Sequence, residues 1–169
     1  MLSEIAVIAN NKRTGDAHMA RAPYQVLIIP YIRKEAHKIM FALFRRSQEG
    51  YWQAIAGGGE EGESVIQTAK REAFEEAGIQ QDQNYVQLDS CSGLSVVSVV
   101  GEFMWGCDTY IIPEHCFGVE VDNQDLLISS EHKEYKWVCY EEAIEMLKWD
   151  SNKTAIWELN QRLLRENLK

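Results

Sequence analysis

The sequence predicts a mixed α/β (α+β) domain, and three features of the chain carry that reading. Strongly apolar, β-rich runs at 24–32 and 39–46 have the length and composition of buried strands. One window, 65–77, is free of glycine and proline and carries a helical pattern. Two helical segments then close the chain, at 141–147 and 154–168. Strands flanking one central helix, with helices at the end, fit a mixed sheet covered by helices.

The elements follow in order. Residues 1–20 give the weakest signal, with 5–9 readable as an added strand or an arm. The run 39–46 ends in Arg45 and Arg46 before a turn at Gln48-Glu49-Gly50. A short strand at 52–56 feeds Gly57-Gly58-Gly59, read as a loop. Ser64 is the expected N-cap of the helix, and Gly78 its left-handed end. Residues 85–88 and parts of 94–100 read as strand, as does 110–121, broken or bulged at Pro113. Residues 136–140 complete the strand set. The last helix is expected to bury Ile156, Leu159 and Leu163, with Trp157 on the same side.

The 169 residues are expected to form one domain, with 1–20 as an extension or added strand. A chain of that length buries a core without disulfides or a structural metal. The net charge of −9 argues against a nucleic-acid polymer as partner, because phosphate neutralisation needs basic patches. Cys91, Cys107, Cys116 and Cys139 show no metal-ligand spacing and read as reduced thiols. No run approaches the roughly 20 apolar residues of a membrane span, and the first 15 residues lack the pattern of a signal peptide. A cytoplasmic protein without membrane association is the resulting expectation.

The chemistry concentrates in 57–79, GGGEEGESVIQTAKREAFEEAGI. Six glutamates, Glu60, Glu61, Glu63, Glu72, Glu75 and Glu76, face only Lys70 and Arg71. On a helix Glu72, Glu75 and Glu76 share one stripe, and like charges spaced i,i+4 destabilise by roughly 0.2–0.5 kcal/mol. A shared divalent cation would remove that penalty. Val65, Ala69, Ala73 and Ala77 form a second stripe of small residues suited to close packing on a sheet. The glycines ahead of the helix would let main-chain amides approach a phosphate near a positive helix N-terminus. Phosphoryl chemistry follows from the combination.

The pattern Gly57-x5-Glu63-x7-Arg71-Glu72-Ala73-x-Glu75-Glu76-x-Gly78-Ile79 resembles the complete Nudix box. Ala56 and Gly59 depart from its usual loop residues, but lie outside the ligand positions. The resemblance implies a Nudix-type α/β/α sandwich with a mixed β-sheet and a catalytic loop-helix-loop. It implies hydrolysis of nucleoside diphosphates linked to another moiety. Glu72, Glu75 and Glu76 would hold Mg²⁺, with Mn²⁺ as the alternate cation, and Arg71 would be a catalytic-helix ion-pair residue. Glu63 would either join the metal site or pair with Arg71.

Outside the box, Glu131 in Ser129-Ser130-Glu131-His132 is the preferred later carboxylate, a candidate general base. His132 reads either as a base or substrate contact, or as a structural or merely solvated residue. Arg45 or Arg46 would clamp a phosphate, strand alternation allowing only one of them to face the site. Gly57 and Gly58 would line the phosphate. Trp52 and Phe103 are candidates to stack on a purine or pterin ring. The segment 101–109, GEFMWGCDT, reads either as a substrate wall or as a dimer contact.

Tyr51-Trp52-Gln53, Glu131-His132 with Tyr135-Lys136-Trp137, and Trp149-x-Ser151-Asn152-Lys153-x-Ala155-Ile156 look like the bacterial dihydroneopterin triphosphate and dATP pyrophosphohydrolase group. That resemblance implies a small nucleoside- or pterin-triphosphate substrate cut to a monophosphate and pyrophosphate, by a monomer or homodimer. The alternatives are a pyrophosphatase of ADP-sugars or dinucleoside polyphosphates, and a non-catalytic nucleotide-sensing domain.

Overall fold

Strand β1 (Arg21–Arg33) organises the sheet of the computed structural model, which describes residues 20–168. The arm or added strand expected at 5–9 lies outside the described residues. Val26 and Ile28 point to one face of β1, and Leu27, Ile29 and Tyr31 to the other. All five are at most 1% exposed, so both faces are covered.

Strand β2 (Ile39–Arg46), β3 (Trp52–Gln53), β4 (Ile55–Glu60), β5 (Tyr85–Ser95), β6 (Ile111–Glu120) and β7 (His132–Val138) complete a mixed seven-stranded sheet. β6 runs parallel to β1, from Gln25 opposite Glu114 to Tyr31 opposite Glu120. The other edge of β1 is shared. β4 pairs with its first part and β2 with its last three residues, both antiparallel. Handing the edge from β4 to β2 splits the sheet, and residues of β1, β2, β3 and β4 line the cleft that opens there.

Helix α1 (Val65–Ala77) covers one face, where Ala69, Ala73 and Ala77 pack with Val26, Ile28, Phe117 and Val119. Its caps match the sequence reading. Ser64 and Gln67 form a reciprocal capping box, worth about 1 kcal/mol, and Gly78 takes φ 68° at the end. Helices α3 (Tyr140–Met146) and α4 (Asp150–Leu164) cover the other face, joining Ile156, Leu159 and Leu163 to Leu27, Ile29 and Leu43. The result is an α/β/α sandwich with a hydrophobic cluster on each side of the sheet.

Four expectations need correction. Residues 96–100 form a short helix, α2 (Val96–Val100), rather than strand. The β-branched run loses only tenths of a kcal/mol per residue as helix. Burial of Val96, a hydrogen bond from its amide to Tyr110 O, and the left-handed Gly101 at φ 82° decide the outcome. The register shift lies between Gln87 and Cys91, not at Pro113. Pro113 sits opposite Gly93, just before the stretch of β6 that pairs with β1, so the β1 ladder loses no donor there. The amides freed at the bulge, Asp89 and Ser90, both donate to the Glu158 carboxylate at 2.7 Å. Trp157 is 53% exposed rather than buried, since the face of α4 that packs on the sheet is filled by Ile156, Leu159 and Leu163. The glycine run is strand, with consequences for the site described below.

All four cysteines are free thiols. No helix among the described residues is long and apolar enough to cross a membrane.

Candidate active site

Gly57, Gly58 and Gly59 lie in β4, with Gly57 opposite Val26 and Gly58 opposite Gln25 of β1. None has a positive φ, so the expected phosphate-cradling loop is not what requires glycine here. Packing requires it. A Cβ on Gly57 would fall 2.0 Å from the Glu72 carboxyl carbon. On Gly58 it would meet the Arg21 Nε at 2.5 Å, and on Gly59 the Tyr24 ring at 2.2 Å. Three successive glycines thus seat a carboxylate, a guanidinium and a phenol directly against the backbone.

Arg71 is the hub of the acidic segment. Its Nε and Nη2 donate to the two Glu63 oxygens at 2.8 and 3.0 Å, and Nη2 also donates to Gly58 O at 2.9 Å. Its Nη1 reaches Glu72 Oε1 at 2.8 Å and Glu75 Oε2 at 3.3 Å. Glu63 accepts further bonds from Thr68 Oγ1 and the Glu60 amide, and Tyr24 Oη bridges to Glu63 O and Thr68. Of the two roles offered by the sequence, the structure displays the ion pair. The Arg71 hydrogen bonds hold the Glu63 carboxyl down at about 2.

Glu72 and Glu76 sit in the cleft under different constraints. Burial pushes Glu72 up to about 7, against the pull of Arg71. Burial also raises Glu76, opposed by His132, whose Nε2 lies 2.6 Å from Glu76 Oε2. His132 is itself fully buried against Phe44. The chain places it there by stitching 122–131 to the end of α1: Ser129 N donates to Glu76 O, and Leu127 N to Ala77 O. Glu75, by contrast, is half exposed and absent from the cleft lining.

Among the described residues no three acidic, histidine or cysteine side chains converge as a ready-made metal cluster. The donor chemistry nevertheless fits a hard divalent cation. Glu72 commits one oxygen to the Arg71 guanidinium and Glu76 one to the His132 ring, and each leaves the other oxygen for a ligand. Mg²⁺ binds through one or two carboxylates and completes its shell with water and substrate phosphate.

The cleft has a volume of about 810 Å³. Gly57, Gly58, Glu72, Glu76, Arg46 and Glu131 all line it. Arg46 Nη1 meets Glu131 Oε2 at 2.8 Å across its mouth. Arg45 faces away from it, bound to Gly50 O and Glu134, which settles the alternation left open by the sequence. Trp52 packs against the α3/α4-side cluster, with the Lys136 ammonium 5.2 Å from its ring centre. Phe103 is exposed and packs edge-on to Tyr110, 5.7 Å between centroids. Neither aromatic lines the cleft, so neither is placed to stack on a ring bound there.

Sequence reasoning missed three features. Arg21 lines the cleft with a buried Nε that makes no hydrogen bond, and burial lowers its pKa while Glu72 opposes. It just precedes the apolar run of β1, and nothing local marks it. Ser151 and Asn152 bring the start of α4 to the cleft, Asn152 Oδ1 accepting from Ala54 N at 2.9 Å. Glu114 is a buried cleft residue within an apolar strand. Its place between Ile112 and Cys116, in the inward register, was the signal available.

A family model described as NUDIX domain matches residues 23–157. A dihydroneopterin triphosphate diphosphatase of Haemophilus influenzae is 29% identical over 133 residues, 78% of this chain and 83% of that one. A NUDIX hydrolase structure from Listeria monocytogenes is 40% identical with a TM-score of 0.79, covering 88% of this chain and 99% of its own. The Escherichia coli dihydroneopterin triphosphate pyrophosphohydrolase structure shares the fold at 22% identity and a TM-score of 0.68, over 85% of this chain and 99% of that one.

Proposed function

The chain belongs to the Nudix family and is a pyrophosphohydrolase, and from that premise we propose that its cleft cuts a nucleoside- or pterin-triphosphate to a monophosphate and pyrophosphate. The observation that carries this reading is the convergence in one cleft of partly buried Glu72 and buried Glu76 with Arg21 and Arg46. A triphosphate brings about four negative charges, and these four residues supply two guanidinium groups and a cation site to receive them. The name of the Haemophilus influenzae relative supports dihydroneopterin triphosphate as the substrate, with dATP as the nucleotide alternative.

Glu72 and Glu76 would hold Mg²⁺ through their uncommitted oxygens, with Glu75 at the rim able to join. A bound divalent cation supplies charge neutralisation and lowers the pKa of a coordinated water. The remaining work falls to the chain. Arg71 fixes Glu72 in position, and His132 fixes Glu76. Arg21 and Arg46 bind phosphate oxygens and hold the anhydride in line. Arg46 on phosphate would loosen Glu131, which then takes the proton from the attacking water as general base. Water adds to phosphorus, the phosphoric anhydride bond breaks, and pyrophosphate leaves.

The test is Mg²⁺-dependent pyrophosphate release from dihydroneopterin triphosphate, dATP, the other nucleoside triphosphates, ADP-ribose and a dinucleoside polyphosphate, with Glu76→Gln as the blank. Pyrophosphate from the triphosphates, lost in the variant, is the expected result. Turnover only of diphosphate-linked compounds would move the substrate class. Tight binding without turnover would make this a nucleotide sensor.

A further inference from the structure

The end of the cleft away from the phosphate-binding residues holds a carboxyl group that the proposed chemistry does not use. Glu114 is 4% exposed, and its Oε1 makes no hydrogen bond. A buried acceptor left without a donor is costly, and such groups are normally satisfied by protein, water or ligand. Gln25 and Ser151 hydrogen-bond the group and leave that oxygen unanswered. The fold repeats the point in another way. Glu114 sits in the inward register of a strand whose neighbours Ile112 and Cys116 are wholly buried core.

Position and charge say what would approach it. Gly58, Gln25, Glu114 and Ser92 form one row across β4, β1, β6 and β5. Two strand spacings separate Gly58, against which Arg21 lies, from Glu114, roughly 10 Å. That span matches the reach from a phosphate through a sugar or short polyol to the edge of a ring. A carboxylate repels phosphate, so this end is built for the uncharged part of the substrate. Leu27, Leu94 and Val99 line the same cleft and offer apolar contact to ring faces.

We propose that Glu114 is the specificity residue of this cleft, reading through its carboxylate the adjacent ring N–H and exocyclic amine of a 2-amino-4-oxopyrimidine edge, which pterins and guanine share. Burial raises the Glu114 pKa, and two parallel N–H donors favour its ionised form by satisfying both carboxylate oxygens. An adenine edge offers one donor beside a ring nitrogen acceptor, which would face the second oxygen repulsively. This rests on the hydrolase reading of the cleft and ranks dihydroneopterin triphosphate above dATP.

The experiment separates ring recognition from hydrolysis. Neopterin binding to the metal-free wild-type chain is followed by pterin fluorescence, with dGMP, dIMP and dAMP as competitors. Neopterin and dGMP should bind about 10- to 100-fold tighter than dAMP and dIMP, the latter lacking the 2-amino group. Glu114→Gln should erase most of that preference while its thermal melt stays close to wild type. The wild-type comparison of dGMP with dIMP stands even if the variant folds poorly. Equal binding of dGMP and dIMP, tighter binding of dAMP, or an unchanged preference in Glu114→Gln overturns the assignment. Neopterin tighter than dGMP, with dGMP still above dIMP and dAMP, supports it and selects a pterin substrate, while dGMP tighter than neopterin selects guanine. Pyrophosphate release run in parallel keeps the two ideas apart. Hydrolysis without ring preference sinks this inference alone, whereas ring preference without any hydrolysis sinks only the hydrolase mechanism.

Discussion

Arg71→Ala removes the centre of the acidic network and should cost stability in a pH-dependent way. In the wild type, Arg71 holds Glu63 at about 2 instead of the ordinary 4.5. A displacement of that size is worth about 3 kcal/mol of folding free energy. Glu63 retains 18% side-chain exposure, and solvent screening brings the expected loss nearer to about 2 kcal/mol. The sign follows from linkage. A carboxyl depressed in the folded state stabilises above its unfolded value and loses that contribution as pH falls towards the folded one. The wild-type advantage over Arg71→Ala should therefore be full above pH 5 and more than half gone by about pH 3. Glu72, at about 7 with Arg71 present, is protonated throughout that window, so its own share of the gap develops only as pH rises through 7. Urea unfolding followed by tryptophan fluorescence at pH 7 and pH 3 measures it. A gap of the same size at both pH values would refute the electrostatic account and make Arg71 a packing residue.

Glu76→Gln should lower kcat by about 100-fold or more while leaving the midpoint of thermal unfolding within a few degrees of wild type, because it removes a buried charge of marginal value; a collapse in the melt would recast Glu76 as structural. Gly57→Ala should displace the Glu72 carboxylate, since the new Cβ would lie 2.0 Å from its carboxyl carbon. Weaker Mg²⁺ activation with a stability loss of about 1–2 kcal/mol is expected, and unaltered metal dependence would deny Glu72 the cation. His132→Phe leaves Glu76 buried without its partner at 2.6 Å; the pH profile of kcat should move to higher pH, and an unshifted profile would remove His132 from the positioning of Glu76. Glu158→Ala strips the bulge amides of Asp89 and Ser90 of their acceptor, so urea unfolding should show a loss of about 1–3 kcal/mol with kcat/KM unchanged.

Local chemistry made much of this molecule legible before any coordinates. The capping serine and terminal glycine bounded α1 at Val65–Ala77, because caps act on the orphan amides and carbonyls of the same short segment. Continuous apolar runs identified β1 and β2, whose unbroken burial reports a two-sided core. The spacing of Glu72, Glu75 and Glu76 gave the acidic stripe, since helical periodicity is itself a local property.

What the chain could not state locally depends on which strands become neighbours. The run VVSVV carries strand propensity, yet long-range burial of Val96 made it a helix. The glycines read as a flexible loop, and only the approach of Glu72, Arg21 and Tyr24 from three other segments showed them to be a packed strand. Arg45 and Arg46 are equivalent in sequence; the register of β2 against β7, and the acidic partners it supplies, sent one to the cleft and one away. Glu114 and Arg21 entered the site through pairings between residues 89 positions and 37 positions apart, Gln25 with Glu114 and Arg21 alongside Gly58. Sequence by itself determined β1, β2 and the capped acidic helix, because those rest on interactions within a few residues. Tertiary structure alone decided the walls of the cleft, because each wall is a contact between strands that the chain brings together from far apart.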